Sequence, residues 1–95
     1  MAGTITFRAT IHGGHKQDAL EVPFDPADEW GLPAQPLRPG RRGFRAHATL
    51  HGEAFATAIV RRSNRFWLLL PEAVERAAGV TVGDLVELGV APDRS

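Results

Sequence analysis

The sequence predicts an all-β fold with two short helices, in the form of a small, closed, six-stranded β-barrel. Three observations favour this class. Apolar and polar residues alternate in several short segments, glycines and prolines separate those segments, and only two segments begin with helix-capping signals. The 95 residues suffice for one hydrophobic core and are too few for two, so we expect a single domain over residues 1–95. Closing so small a sheet into a barrel removes its exposed edges.

Two short segments near the N-terminus predict a first hairpin. Residues 4–12 alternate strictly, which is typical of a half-buried strand. The apolar face of this segment holds Ile5, Phe7, Ala9 and Ile11. Residues 12–18 are glycine-rich and polar, and residues 19–24 resume an extended apolar pattern that Pro23 limits to an edge or a strand end. We therefore expect two antiparallel strands joined by a polar turn.

A short helix and a loop are expected to follow the first hairpin. Asp25 is a good N-cap, Pro26 suits the first helical position, and Gly31 can end the helix. Residues 32–43 contain three prolines and two glycines. Because each proline lacks a backbone donor, the sequence predicts that no regular element runs through residues 32–43.

Residues 44–60 predict a second hairpin. One face of its first strand holds Phe44, Ala46, Ala48 and Leu50. Gly52 and Glu53 are expected to form the tight turn. The second strand places Phe55, Thr57 and Ile59 on one face.

The last third of the chain predicts two more strands around a second helix. Residues 66–70 are apolar without alternation, which indicates a strand covered on both faces, and Pro71 ends that strand. A helix of about two turns should follow and end at Gly79 in a left-handed conformation. In the final strand, Val86, Leu88 and Val90 alternate with polar or small residues.

Several of these segments together resemble a known family. The stretches "EVPFD", "LHGEAF" and "LLLPEAVERAAGVTVGDLVEL" are similar to the domain of unknown function 1905 family of small bacterial proteins, over roughly residues 4–92. The resemblance implies a double-split β-barrel, an architecture also found in AbrB/MazE-like transcription factors. It implies no biochemical role.

Composition narrows the possible functions. The chain has no cysteine, which excludes disulfides, thiolate metal sites and thiol nucleophiles. A formal net charge of +0 argues against non-specific nucleic-acid binding, which needs an excess of Lys and Arg. No apolar segment approaches the length of a membrane span, and the N-terminus lacks the pattern of a secretory signal. We therefore expect a cytoplasmic protein without membrane partners.

Histidines and carboxylates are the candidates for metal binding and catalysis. His12 with His15, and His47 with His51, are spaced so that each pair could share a ligand, but we interpret them as solvent-facing residues. The available carboxylates each have a structural explanation as a strand-face, cap or turn residue; they are Glu21, Asp25, Asp84 and Glu87. The sequence therefore predicts no metal, no cofactor and no catalytic residue.

Two arginine clusters flank the second hairpin and are the main candidates for binding. The first contains Arg38, Arg41, Arg42 and Arg45, and the second contains Arg61, Arg62 and Arg65. A hairpin brings both clusters to one end of the ribbon, where forked guanidinium groups could bind phosphate or carboxylate. Of Phe66 and Trp67, we expect one in the core and the other under a helix or loop, although Trp67 beside Arg65 could stack on a flat ligand. The predicted ligand-binding residues are Arg45, Arg61, Arg62, Arg65 and Trp67.

The sequence thus favours a non-catalytic binding or interaction module that takes an unidentified, anionic ligand. One alternative is an AbrB-like nucleic-acid-binding regulator, which the arginines between residues 38 and 65 favour and the neutral overall charge disfavours. A second alternative is a small enzyme that acts on an anionic substrate. Because both hairpins of a barrel lie in one chain, we expect a monomer or a weak homodimer.

Overall fold

The computed structural model describes residues 3–14 and 16–93. These residues form seven strands and two short helices with their connections. In chain order the elements are β1 (Ile5–His12), β2 (Asp18–Val22), α1 (Pro26–Trp30), β3 (Gln35–Arg38), β4 (Arg41–Leu50), β5 (Glu53–Arg62), β6 (Arg65–Leu70), α2 (Glu72–Ala78) and β7 (Leu85–Pro92).

Six of the strands close into a barrel. Around the barrel the order is β4, β5, β6, β2, β1 and β7, and every neighbouring pair is antiparallel. The pairing of β7 with β4, from Ala46↔Pro92 to Leu50↔Leu88, closes the ring. The predicted six-stranded barrel is therefore confirmed, and β3 is an additional strand that pairs with β4.

Both predicted hairpins are present. β1 pairs with β2 only near its end, at Ile11↔Leu20 and His12↔Ala19, whereas its other edge pairs with β7 from Ile5 to Thr10. The turn between β4 and β5 consists of His51 and Gly52, one residue earlier than predicted. Both residues have positive φ, 49° and 81°, as the tightest hairpin turns require.

The alternating apolar residues fill the barrel interior. In β4 the predicted inward face is buried throughout, and in β7 Val86, Leu88 and Val90 are buried as well. Leu68 and Leu70 of β6 also lie in the core, whereas Leu69 is only half-buried on the outer face. The expectation that β6 is covered on both faces is therefore wrong in part, and the uncovered side of Leu69 matters for the site below. Burying a leucine contributes about 1.5–3 kcal/mol.

Capping residues define both helices as predicted. The Asp25 carboxylate accepts a hydrogen bond from the Ala27 amide at 2.9 Å, and Gly31, with φ of 65°, ends α1. Gly79 ends α2 with φ of 73° and donates its N–H to the Glu75 carbonyl at 2.9 Å. The helices of the described residues are too short to cross a membrane.

The expectation of an irregular loop over residues 32–43 was wrong, because β3 forms within it and β4 begins at Arg41. Pro36 is tolerated because β3 is an edge strand that needs donors on one side only. Gly43 lets β3 lie close to the barrel wall. A Cβ at Gly43 would stand 2.8 Å from Leu37 Cδ1 and 2.6 Å from the Ile59 carbonyl oxygen.

Candidate anion-binding site

A groove opens on the outer face of the barrel where β5 and β6 separate. Their pairing runs from Arg62↔Arg65 to Ile59↔Leu68 and goes no further. Beyond this point the Thr57 hydroxyl donates to the Leu69 carbonyl oxygen at 2.5 Å. This side chain satisfies an acceptor of β6 at a position where β5 and β6 no longer pair. The groove therefore follows from the way in which the sheet splits.

The groove, which we call the basic groove, has a volume of about 720 Å³. Its floor is apolar and consists of small or aliphatic side chains, namely Ala56, Ala58, Leu69 and Pro71. Its rim carries five basic side chains: Lys16, Arg38, Arg41, Arg45 and Arg62. An apolar floor under a positive rim suits an organic molecule that carries acidic groups.

Three parts of the fold bring these cations together. Arg38 and Arg41 flank the turn between β3 and β4, and Arg45 projects outward from β4 opposite Ala58 of β5. Arg62 is the last residue of β5. Lys16 comes from the connection between β1 and β2, which reaches the groove because β2 pairs with β6.

The electrostatics of the basic groove are dominated by positive charge. Burial, followed by the positive charges of Arg62 and Arg38, lowers the pKa of the Arg41 guanidinium. Asp93 is the acidic member of the described lining, and its carboxylate lies 3.4 Å from His47 Nε2. Among the residues that the structure describes, none of the rim cations forms an ion pair with a carboxylate.

A second groove, which we call the aromatic groove, lies on the other side of Arg62 and has a volume of about 570 Å³. Trp67, half-buried on the outer face of β6, lines it. The imidazole of His12 meets the indole edge to face, with ring centroids 5.4 Å apart. Arg65 also lines this groove and lies 3.4 Å from the Glu21 carboxylate.

A family model described as a domain of unknown function, DUF1905, matches residues 7–90 of the chain. The chain belongs to the DUF1905 family. The match includes the five cations of the basic groove and the ring pair of the aromatic groove, and Asp93 lies just outside it. None of the curated proteins that were compared with the chain matches it.

This DUF1905 barrel separates the predicted ligand-binding residues into three locations. Arg45 and Arg62 line the basic groove, and Arg62 also lines the aromatic groove together with Arg65 and Trp67. Arg61 lines neither groove, and its Nη2 donates to Asn64 Oδ1 at 2.9 Å. The expectation that the two arginine clusters meet is thus confirmed for Arg62.

The neighbouring aromatic residues divide between the two faces of β6. Phe66 packs against the core, with its ring 6.3 Å from that of Phe44. Trp67 lies half-buried on the outer face beside His12, and Gly13 and Gly14 of the β1–β2 connection line the same groove. Since successive side chains of a strand point to opposite faces, only one of the two could enter the core.

The three described histidines of this DUF1905 chain have different partners, and the fourth, His15, is outside the described residues. His47 is paired with Asp93, whereas His51 Nδ1 lies 3.3 Å from the Ala78 carbonyl oxygen. Within residues 3–14 and 16–93, no group of three or more His, Asp or Glu side chains could hold a metal ion.

The carboxylates considered as catalytic candidates have partners in the described structure. Glu21 pairs with Arg65 and Glu87 pairs with Arg8. Asp25 caps α1, and Asp84 accepts from the Thr81 amide at 2.9 Å. These contacts agree with the structural explanations that their sequence positions favour.

Sequence reasoning missed the contribution of the β1–β2 connection. Lys16 and Gln17 line the basic groove, although both belong to a polar turn that is far in sequence from the arginines. No local signal could have placed them there, because their position depends on the pairing of β2 with β6.

Proposed function

We propose that this DUF1905 protein is a binding module that holds an organic anion in the basic groove. The observation that carries the proposal is the convergence of five cations from three separate parts of the fold on one groove. Arginines that only project into solvent from separate loops would not be expected to line one groove.

The charge arrangement supports an anionic ligand. Gathering Arg38, Arg41 and Arg62 raises the electrostatic energy of the unliganded barrel, since like charges repel. Arg41 is half-buried by its exposed area, which reduces the solvent screening of these charges. A bound phosphate or carboxylate replaces this repulsion with attraction and accepts forked, charge-assisted hydrogen bonds.

The floor supports an organic rather than a purely inorganic ligand. Ala56 and Ala58 leave room above β5, and Leu69 offers an apolar surface between the cations. Burying apolar ligand surface there contributes about 25 cal/mol per Å².

The groove supports binding rather than catalysis. The Thr57 hydroxyl is engaged with the Leu69 carbonyl, and the Asp93 carboxylate is engaged with His47. The Thr57 hydroxyl thus donates to a carbonyl and not to a base that could activate it, and His47, the imidazole that Asp93 contacts, does not line the groove.

The test is calorimetric titration with inorganic pyrophosphate, as a minimal anionic probe, at low and moderate salt. We expect the double variant Arg38→Gln, Arg41→Gln to bind pyrophosphate about tenfold more weakly or worse, since one charge-assisted hydrogen bond is worth about 1.5–3 kcal/mol. The matched control is Arg61→Gln, because Arg61 belongs to the same hairpin and lines neither groove. It should bind like the wild type.

Two results would contradict this proposal. Wild-type protein that binds no pyrophosphate even at low salt would remove its basis. Equal weakening by the control would show that overall charge, and not the basic groove, governs the interaction. A steep salt dependence with duplex DNA, together with no pyrophosphate binding, would instead favour a nucleic-acid-binding regulator.

A further inference from the structure

The aromatic groove and the basic groove are neighbours that share one side chain. Arg62 lines both. The connection between β1 and β2 also borders both, because it contributes Gly13 and Gly14 to the aromatic groove and Lys16 and Gln17 to the basic groove. A single ligand that passes beside Arg62 can therefore occupy the two grooves together.

The walls of the aromatic groove fit a flat ring. Trp67 presents an indole, and His12, at a centroid distance of 5.4 Å, limits the space beside it. Gly13 and Gly14 line the same groove with exposed backbone, and Gly14 cannot carry a side chain, because a Cβ there would clash with the Gln17 carbonyl oxygen. Flat rings stack on indoles and approach bare backbone closely.

We propose that the ligand of the basic groove is a nucleotide, with its base in the aromatic groove beside Trp67 and its phosphates extending past Arg62 among the rim arginines. This inference rests on the proposed anion-binding function and adds the class of ligand. Arginine suits the shared position, since its guanidinium both stacks on a planar ring and binds phosphate. Arg65, which is held by Glu21, is placed to bind the edge of the ring or the sugar.

The test compares three probes by calorimetry: inorganic pyrophosphate, ADP and adenosine. We expect the wild type to bind ADP at least about tenfold more tightly than pyrophosphate, because stacking on an aromatic side chain adds to the phosphate contacts. Adenosine should bind weakly or not at all. In Trp67→Ala the advantage of ADP over pyrophosphate should disappear, whereas Arg38→Gln, Arg41→Gln should weaken both.

A second readout uses the wild type alone, so it does not depend on the folding of a variant. The chain has two tryptophans, and Trp30 is buried in the core while Trp67 lines the aromatic groove. In an amide correlation spectrum we expect ADP to shift the indole N–H signal of Trp67 and to leave that of Trp30 in place. Pyrophosphate should shift neither.

The outcomes separate the two proposals. If pyrophosphate and ADP bind equally and the Trp67 signal does not move, the proposal of a nucleotide ligand is wrong, while the proposal of anion binding stands. If neither probe binds, both proposals fail. If a single-stranded oligonucleotide binds with a steep salt dependence and ADP does not bind, the proposal of a nucleotide ligand is wrong and nucleic acid is the favoured ligand.

Discussion

The carboxyl groups of Glu75 in α2 and Asp18, the first residue of β2, lie side by side and share a hydrogen bond when one of them is protonated. Burial, this hydrogen bond and the negative charges of Asp18 and Glu72 raise the pKa of Glu75 from 4.5 to about 7. Asp18 also accepts, at 3.4 Å, a hydrogen bond from the amide of Gly14. The two carboxyl groups therefore link the second helix to the connection that borders both grooves.

We expect Glu75→Gln to stabilise the protein at pH 8 and to flatten its pH dependence. Below pH 4.5, Glu75 is protonated in both the folded and the unfolded chain and contributes no penalty. As pH rises from 4.5 to about 7, the unfolded chain loses this proton first, so the free energy of unfolding falls. The full penalty applies above pH 7 and should be on the order of 1 kcal/mol, because the site is partly exposed to solvent.

The measurement is urea unfolding at pH 5 and pH 8. Glu72→Gln is the control, since Glu72 is exposed and paired with Arg76 in the same helix. A stability difference between Glu75→Gln and wild type that is the same at both pH values would show that Glu75 does not share a proton with Asp18.

At the end of α2, we expect Gly79→Val to lower the free energy of unfolding by about 1 kcal/mol or more. The φ of 73° disfavours a β-branched residue, while no atom lies within 4 Å of a Cβ placed at Gly79. The loss should therefore come from backbone conformation alone. Gly79→Asn is the matched control and should lose less, because asparagine tolerates left-handed φ. Equal unfolding midpoints for Gly79→Val and the wild type would refute this assignment.

Local patterns predicted most of the barrel because burial imposes a period of two on each strand. Residues 44–50 alternate as strictly in the structure as in the sequence, and Asp25 and Gly79 mark helix ends through their own backbone chemistry. The sequence pattern did not predict β3 because a proline such as Pro36 disfavours a strand. Only its edge position and the missing Cβ at Gly43 make that strand possible.

The candidate site could be predicted only where hairpin geometry governs it. The hairpin brings Arg62 to Arg41, as its geometry predicts. Arg61 precedes Arg62 by one position, and successive side chains of β5 point to opposite faces. The sequence alone could therefore have predicted that Arg61 lies outside the groove. The position of Lys16 and the contact of Asp18 with Glu75 could not be predicted from the sequence, because both depend on pairing between distant strands.

The last prediction concerns Gly43, which positions β3 and therefore part of the basic groove. We expect Gly43→Ala to lower the free energy of unfolding by about 1–3 kcal/mol, as for overpacked cores. The added methyl group would stand 2.6 Å from the Ile59 carbonyl oxygen, which belongs to the barrel wall, and 2.8 Å from Leu37 Cδ1, which can rotate away. Residue 43 must then move away from β5, and β3, which pairs with β4 at Gly43, should move with it. Pyrophosphate affinity should therefore also fall, through displacement of Arg38.

Urea unfolding and pyrophosphate titration check this expectation. Gly13→Ala is the control for stability, because a Cβ there meets its nearest atoms at an ordinary 3.8 Å and the backbone φ is not left-handed. The double variant Leu37→Ala, Gly43→Ala separates the two contacts, since it removes the side-chain clash and keeps the one with the carbonyl. If the double variant regains wild-type stability, the Ile59 carbonyl is not the constraint. If Gly43→Ala unfolds at the wild-type midpoint and binds pyrophosphate normally, the close packing of β3 against the barrel does not hold the basic groove in place.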